Sequence, residues 1–201
     1  MFTCVLLSAG LSERFGSPKA LANLWGAPVI EYVQKTLLQS SCDRIIVVLG
    51  AHQSQVRPSI FIHSRITVVY NKDYNLGQTS SVQAGWREAD NASEAVLFLP
   101  VDCPLVQAST IDRIIDHFKK YGPDILVPTY KDKKGHPPVF HQRLKSEILD
   151  LPMTQGLNSL FAGHPPQTIE IDDQGIIKSF NTPEEFEEIK RLLRRPTGSS
   201  Q

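Results

Sequence analysis

Short apolar segments alternate with longer amphipathic segments along this chain. The short segments, which we predict as strands, are 2–7, 44–50, 66–70, 95–100, 124–128, 137–141 and 167–171. The amphipathic segments, which we predict as helices, are 28–39, 79–89, 109–121, 144–151, 156–161 and 183–195. Because the two kinds alternate, the pattern predicts a three-layer α/β/α, Rossmann-like fold with a mostly parallel sheet.

Local features refine this prediction. The hydroxyl groups of Thr79 and Ser80 stand where the helix over 79–89 begins, and they can cap its free N–H groups. Segment 129–136 is polar and lies between two predicted strands, so we expect a flexible insertion near the rim of the site. We interpret Trp25 and Trp86 as packing residues.

The segment after the first strand carries the strongest chemical signal. Residues 7–19 contain two glycines, Gly10 and Gly16, and two cations, Arg14 and Lys19. Glycine lets a phosphate approach the main chain, and the cations supply charge. Neither GxxxxGK[ST] nor GxGxxG is present, so a Walker NTPase and a hydride-transfer fold have little support. We predict a phosphate-binding loop; the alternative is a plain glycine turn with surface cations.

A carboxylate follows another predicted strand. Asp102 lies just past the strand over 95–100, and ligands of parallel α/β sheets bind at the carboxyl ends of strands. Mg²⁺ binds few protein carboxylates together with phosphate oxygens and waters. We therefore predict that Asp102 meets the Mg²⁺ of a bound nucleotide; the alternative is a turn or helix-capping aspartate.

Composition narrows the class of protein. The 201 residues include 21 Lys and Arg against 21 Asp and Glu, so neither a nucleic-acid track nor a polybasic membrane surface is favoured. No apolar run approaches the roughly 20 residues of a membrane helix, and no signal peptide pattern opens the chain, so we expect a cytoplasmic protein. Cys4, Cys42 and Cys103 form no close pair in sequence, and we expect reduced thiols rather than zinc ligands or a disulfide.

The loop resembles the LxxGxSxRxGxxK signature of the molybdenum cofactor nucleotidyltransferases, and it is closest to the cytidylyltransferase branch. The resemblance extends to about residue 190, with later matches at 71–85, 102–105, 135–137 and 181–184. The Gly-His-Pro at 135–137 points to this branch. The resemblance implies a nucleotidyltransferase fold. The length of the chain predicts a single domain, 1–195, followed by a flexible tail, 196–201.

The resemblance also implies roles for particular residues. The nucleotide would be bound by Leu7, Ser8, Ala9, Gly10, Ser12, Arg14, Gly16, Lys19, Asn71, Gly77, Ser80, Ser81 and Asp102. Arg14, Lys19 and Asp102 would be catalytic, and His136 would lie near the acceptor. Asp102 and Asn181 would hold Mg²⁺, although Asn181 could instead cap the helix that begins at Pro183. For Thr79, Ser80 and their neighbours, helix capping is the alternative.

Some positions depart from the family pattern. Ala9 agrees with the cytidylyl branch, since the guanylyl branch has glycine there; its methyl group leaves less room, which suits a pyrimidine, whereas Ser8 fits neither branch. Val101 replaces the usual glycine before Asp102. In 153–160, where the branch carries G-D-x-G-A-R, Gly156 remains but the acid and the arginine are absent. The acceptor is therefore less well defined than the nucleotide. The histidines at 52, 63, 117, 141 and 164 have no ligand-like spacing and stay unassigned.

These features together imply a Mg²⁺-dependent nucleotidyltransferase. It would move CMP from CTP to the phosphate of molybdopterin, release pyrophosphate and pass the product to a molybdoenzyme. One alternative is the same chemistry with GTP or with another acceptor, such as a sugar phosphate. The other is a nucleotide- or cofactor-binding chaperone without turnover.

Overall fold

The computed structural model describes residues 1–193. Its strands are β1 (Phe2–Ser8), β2 (Asn23–Leu24), β3 (Ala27–Pro28), β4 (Arg44–Leu49), β5 (Ile66–Tyr70), β6 (Ala95–Pro100), β7 (Ile125–Tyr130), β8 (Lys133–Lys134), β9 (Val139–His141) and β10 (Gln167–Glu170). Its α-helices are α1 (Val29–Gln39), α2 (Gln53–Val56), α3 (Gln78–Glu88), α4 (Ala108–Tyr121), α5 (Lys145–Leu149) and α6 (Pro183–Leu193). Several connections form short 3₁₀ helices, among them Leu157–Ala162 and Gln174–Ile177.

The main sheet has the strand order β10-β7-β9-β6-β1-β4-β5, with β8 paired to β7. β1 pairs in parallel with β4 and β6, β4 with β5, and β7 with β10. β9 is antiparallel to both β6 and β7. The fold is thus the mostly parallel, Rossmann-like α/β/α arrangement that the sequence predicts, with one antiparallel strand inserted near its centre.

Each face of the sheet has its own core. Along β1, Cys4 and Leu6 point into one cluster, while Val5 and Leu7 point into the other, as the two-residue period of a strand requires. Residues of α1, α4 and α6 complete the first cluster, and residues of α3 and α5 complete the second. Full burial of such a side chain contributes about 1.5–3 kcal/mol, so both faces stabilise the sheet.

Helix α3 packs closely on the sheet. A Cβ atom at Gly85 would lie 2.4 Å from Cγ1 of Val5 and 3.1 Å from Cγ2 of Val48. Glycine suits this approach, because a Cβ atom 2.4 Å from the Val5 side chain would force that side chain or the helix to shift. The close packing places the first turn of α3 at the carboxyl ends of β1 and β4, where the candidate site lies.

Several local predictions are corrected. Segment 129–136 is an ordered β7–β8 hairpin rather than a flexible insertion, since the Glu170 carboxylate accepts hydrogen bonds from Thr129 Oγ1 and the Lys131 amide, each 2.7 Å long. The helix predicted over 156–161 is present as the 3₁₀ helix Leu157–Ala162. The N-cap of α3 is Gly77, and the Ser80 hydroxyl donates to the Gly77 carbonyl instead of capping an N–H group.

The cysteines and one of the two tryptophans are buried in the core, whereas the other tryptophan is exposed. Cys4, Cys42 and Cys103 are free and buried. Cys4 and Cys42 nevertheless meet in the core, where their hydrogen bond raises the pKa of Cys4. Trp86 is fully buried and is a packing residue, whereas 42% of Trp25 is exposed, so Trp25 lies outside the core.

The C-terminal part agrees with the prediction as far as it is described. Helix α6 begins at Pro183, while residues 194–195 of the predicted helix and the predicted tail 196–201 lie outside the described residues. Within residues 1–193, none of the helices has the length and apolar character needed to cross a membrane.

Candidate active site

A cleft of about 620 Å³ opens at the carboxyl ends of β1 and β6. It is lined by most of the predicted site residues: Leu7, Ser8, Ala9, Gly10, Ser12, Arg14, Lys19, Gly77, Ser81, Asp102, His136 and Asn181. Gly16, Asn71 and Ser80 are not part of its lining. Tertiary folding thus brings together residues from the two ends of the described chain.

The loop after β1 is organised by Ser12, whose backbone is left-handed with φ 57°. The Ser12 carbonyl accepts hydrogen bonds from the amides of Phe15 and Gly16, at 3.0 and 3.1 Å. The Ser12 hydroxyl accepts a third, from the Lys19 amide at 3.2 Å. Gly16 closes the turn with φ 78°, which explains its presence without any contact to a ligand.

Gly10 has a different environment. A Cβ atom at this position would meet nothing within 4 Å, and Gly10 is exposed in the cleft. The packing of the protein itself therefore does not require glycine here. Close approach of a ligand to the main chain does account for it.

Phe15 ties the loop to the C-terminal part of the chain. Its ring centroid lies 5.3 Å from that of Phe180 and 5.7 Å from that of Phe186, both with edge-to-face geometry. Such aromatic pairs contribute about 0.5–1.5 kcal/mol beyond their buried area. The anchor holds the neighbouring Arg14 and Lys19 close to Asn181.

Lys19 connects the two candidate metal ligands. Its Nζ atom donates to Oδ2 of Asp102 at 2.7 Å and to Oδ1 of Asn181 at 2.9 Å. Arg14 Nη2 also donates to Asn181 Oδ1, at 3.0 Å. Lys19 and Arg14 thus carry two positive charges in a hydrogen-bonded cluster whose carboxylate is Asp102, while Glu13 also lines the cleft. Cations in such a cluster can bind phosphate oxygens.

Both candidate metal ligands bond to the same nitrogen, so Lys19 Nζ stands at the point on which Asp102 Oδ2 and Asn181 Oδ1 converge. Oxygens of this kind can bind Mg²⁺ once Lys19 turns to a substrate phosphate. Within residues 1–193 no group of three or more His, Cys, Asp and Glu side chains is arranged to hold a metal. A metal here would share its coordination with substrate phosphates and waters, which is the arrangement Mg²⁺ favours.

The structure separates Asn181 from the helix cap. Thr182 Oγ1 accepts from the Glu185 amide at 3.3 Å, and the Glu185 carboxylate accepts from the Asn181 amide. Thr182 therefore supplies the capping side chain of α6, and Glu185 reaches back to the residue before the cap. Capping by the Asn181 side chain is therefore wrong, and its carbonyl oxygen faces the cleft instead.

Asn71 and Ser80 lie behind the cleft wall. The Asn71 amide nitrogen donates to Ser80 Oγ at 2.8 Å and to Ser81 Oγ at 3.0 Å, while its oxygen accepts from the Asp73 amide at 3.0 Å. Asn71 is only 4% exposed. Its polar atoms are therefore used within the protein, and Ser81 is the member of this network that lines the cleft.

The far end of the cleft contains residues that the sequence analysis missed. His52 and Tyr74 both line it, and His52 Nε2 lies 3.0 Å from the Leu11 carbonyl oxygen. Gly50 is enclosed there: a Cβ atom would lie 2.8 Å from the Cβ atoms of both Ala9 and Tyr74. The position of His52 could have indicated the cleft. It follows the carboxyl end of β4, at the same edge of the sheet as the loop after β1.

His136 lies in the wall of the cleft. Its amide donates to the Ile176 carbonyl at 2.8 Å. Burial lowers the pKa of its imidazole, against the smaller opposite effects of the Asp102 charge and a hydrogen bond with the Phe98 backbone. The ring is therefore neutral at pH 7. Its Nδ1 atom is buried and has no partner among the described residues.

Known proteins resemble this chain over nearly its whole length. It is 25% identical over 183 residues to the molybdenum cofactor cytidylyltransferase of Escherichia coli (strain K12), covering 91% of this chain and 92% of that protein. It is 25% identical over 197 residues to the nicotine blue oxidoreductase of Paenarthrobacter nicotinovorans, covering 95% and 96%. A nucleotidyl transferase structure from Methanothermobacter thermautotroptrophicus shares the fold, with a TM-score of 0.81, 22% identity and 97% and 98% coverage.

The chain is a nucleotidyltransferase, and its cleft joins a loop with two glycines and two cations after the first strand to an aspartate beyond the neighbouring strand. Residues 4–169 match the model of the MobA-like NTP transferase domain, and the chain belongs to this family. The family uses a nucleoside triphosphate, a phosphate-bearing acceptor and a divalent metal ion.

Proposed function

We propose that this protein transfers CMP from CTP to the phosphate of molybdopterin and releases pyrophosphate. The observation that carries the proposal is the cluster in which Lys19 bonds to both Asp102 and Asn181, with Arg14 beside it. The acceptor assignment draws support from the Gly-His-Pro at 135–137 and from the likeness to the E. coli cytidylyltransferase.

The reaction needs no side-chain nucleophile. A phosphate oxygen of the acceptor attacks the α-phosphorus of CTP, a new P–O bond forms, and the bond to the β-phosphate oxygen breaks as pyrophosphate leaves. Arg14, Lys19 and the amides of the loop hold the triphosphate in line for this attack. Asp102 and Asn181 are the residues that would hold Mg²⁺, which would neutralise phosphate charge when bound.

Base preference is assigned to the far end of the cleft. Ala9 packs against Gly50, whose Cβ position would fall 2.4 Å from the Ala9 carbonyl oxygen. The main chain at Ala9 therefore has no space to shift towards Gly50, and the cleft cannot widen there for a larger base. Ser81 accepts a hydrogen bond from Asn71 and retains its own proton for a base or ribose oxygen.

The proposal also includes the domain organisation, the cellular compartment and the recipient of the product. Residues 1–195 act as one nucleotidyltransferase domain in the cytoplasm, and a molybdoenzyme receives the cytosine dinucleotide. Gly77, which lines the cleft, has φ 103° and allows the chain to turn into α3 beside the nucleotide.

The test is pyrophosphate release with Mg²⁺, molybdenum-loaded molybdopterin and CTP, GTP, ATP or UTP in parallel. Release with CTP alone supports the proposal. Release with GTP keeps the reaction and overturns the base assignment. Release only when a sugar phosphate replaces molybdopterin overturns the acceptor. Absence of release from protein that binds CTP favours a carrier, and redox conversion of nicotine blue without release favours the chemistry named for the P. nicotinovorans relative.

A further inference from the structure

The ammonium group of Lys19 competes for the two oxygens that a divalent metal ion would also need. Its Nζ atom lies 2.7 Å from Asp102 Oδ2 and 2.9 Å from Asn181 Oδ1. Mg²⁺ binds oxygen ligands at about 2.0–2.1 Å, so an ion bound to both oxygens would lie no farther than about 5 Å from Nζ. Two positive charges that close repel each other, and the ion would have to replace the hydrogen bonds from Lys19.

The carbonyl oxygen of Asn181 has both of its acceptor sites in use. A side-chain carbonyl oxygen has two lone pairs, and Asn181 Oδ1 accepts hydrogen bonds from Lys19 Nζ at 2.9 Å and from Arg14 Nη2 at 3.0 Å. A metal ion that binds this oxygen must replace one of the two donors. Because Lys19 is the donor that also bonds to Asp102 Oδ2, its departure frees both oxygens at once.

The charges of this cluster disfavour a divalent ion that arrives without a nucleotide. Lys19 and Arg14 are cations, Asp102 is a carboxylate, and the Asn181 amide is neutral. The other carboxylate of the cleft lining is Glu13, which is exposed. A triphosphate changes this balance, because its oxygens offer the ammonium group a new anionic partner and offer the metal ion additional ligands.

The movement that frees the two oxygens involves the side chain of Lys19 alone. Its amide bonds to Ser12 Oγ at 3.2 Å, which anchors the main chain, while the four-carbon stem is flexible. The Phe180 amide donates to the Asp102 carbonyl at 3.2 Å, so the main chain joins the segments that carry Asp102 and Asn181. The two oxygens therefore keep their positions when the ammonium group leaves.

We propose that Lys19 acts as a gate that couples metal binding to nucleotide binding. The divalent ion binds Asp102 and Asn181 only when the Lys19 ammonium has moved to a phosphate of the nucleotide. This role for Lys19 rests on the proposed function, because it takes Asp102 and Asn181 as the metal ligands. Since coupling is reciprocal, nucleotide and metal ion strengthen each other's binding by the same factor.

Binding of Mn²⁺ alone tests the gate without nucleotide, acceptor or turnover. Mn²⁺ serves as the probe because electron paramagnetic resonance measures the free ion and hence the bound fraction. Lys19→Met removes the charge and keeps a side chain of similar length, whereas Lys19→Arg keeps the charge. Lys119→Met is the matched control, because it removes the same charge from an exposed pair with Asp116.

We expect Lys19→Met to bind Mn²⁺ at least about tenfold more tightly than wild type, within the usual range of coupling between two sites. Lys19→Arg and Lys119→Met should bind it as weakly as wild type. Equal Mn²⁺ affinity in wild type and Lys19→Met would overturn the gate. Equal tightening by Lys119→Met would also overturn it, because the effect would then follow net charge. Lys19→Gln replaces Lys19→Met if circular dichroism shows that the methionine variant is misfolded.

Pyrophosphate release distinguishes failure of the gate from failure of the proposed reaction. If Mn²⁺ affinity depends on Lys19 but wild type releases no pyrophosphate from CTP and molybdopterin, the proposed reaction is wrong and the gate stands. If wild type releases pyrophosphate and Mn²⁺ affinity does not depend on Lys19, the gate is wrong and the reaction stands.

Discussion

The Nζ atom of Lys19 lies 2.7 Å from Oδ2 of Asp102, although the two residues are 83 positions apart in the chain. The side chains are 15% and 21% exposed, so the ion pair is sheltered without being fully buried. It joins the phosphate loop to the end of β6. The protein therefore holds its cations and its carboxylate in place before any nucleotide arrives.

Replacing Lys19 by alanine should remove turnover while the fold persists. The lost charge acts on the phosphates in the transition state, so kcat/KM should fall about 10²–10³-fold. Pyrophosphate release measures this loss, and circular dichroism checks the fold. Lys119→Ala is the control, because Lys119 pairs with Asp116 on an exposed helix surface, 3.8 Å away. Activity within about twofold of wild type in Lys19→Ala would contradict the assigned role.

Removing divalent metal should stop the reaction without loosening the protein. The oxygens of Asp102 and Asn181 accept hydrogen bonds from Lys19, so a protein group satisfies them and the stability of the fold does not depend on an ion. We expect EDTA to abolish pyrophosphate release and leave Tm unchanged. Excess Mg²⁺ should restore turnover. A marked fall in Tm on chelation would instead indicate a structural metal.

Asn181 and Thr182 should separate activity from stability. Thr182→Ala removes the capping hydroxyl of α6, which costs about 1 kcal/mol of unfolding free energy, and should leave turnover near wild type. Asn181→Ala should reduce turnover and raise the Mg²⁺ concentration needed for half-maximal rate, with little change in stability. Urea unfolding and steady-state kinetics measure the two effects. The opposite division would return the capping role to Asn181.

Asn71 should act through Ser81. Asn71→Ala removes a buried amide with three hydrogen bonds, so we expect a loss of about 1–3 kcal/mol in stability together with a higher KM for the nucleotide. Ser81→Ala should raise that KM with a smaller loss of stability. The control is Asn91→Ala, since Asn91 is exposed and bonds to Lys145 Nζ. An unchanged KM in both Asn71→Ala and Ser81→Ala would contradict the network's role.

His164 should make stability depend on pH. Hydrogen bonds with Asp124 and Glu147 raise the pKa of His164 above 6.5. A raised pKa in the folded state favours folding at pH values below 6.5, and this contribution disappears as the pH rises through the folded-state pKa. The Tm difference between wild type and His164→Gln should therefore be larger at about pH 5.5 than at about pH 8.5. Equal differences would show that His164 is not stabilised in its charged form.

Much of the site could be predicted because its residues directly follow strands that the sequence pattern predicts. Gly10, Arg14 and Lys19 follow a strand that its apolar residues reveal, and Asp102 follows another. Adjacent parallel strands end at the same edge, so their following residues meet. His52 was missed although it follows β4 in the same way, because its sequence neighbourhood carries no spacing that marks a ligand.

The sequence alone determined the alternation of strands and helices, and with it the α/β sheet, since strand and helix periods are local properties of neighbouring side chains. The hydrogen-bond partners of individual polar atoms, in contrast, follow from the three-dimensional packing of the chain. Asn181 turned its oxygen to Lys19, 162 residues away, and left capping to Thr182. The side-chain amide of Asn71 donates hydrogen bonds to Ser80 and Ser81. Such choices depend on which partners folding brings within about 3 Å, and no local pattern encodes that distance.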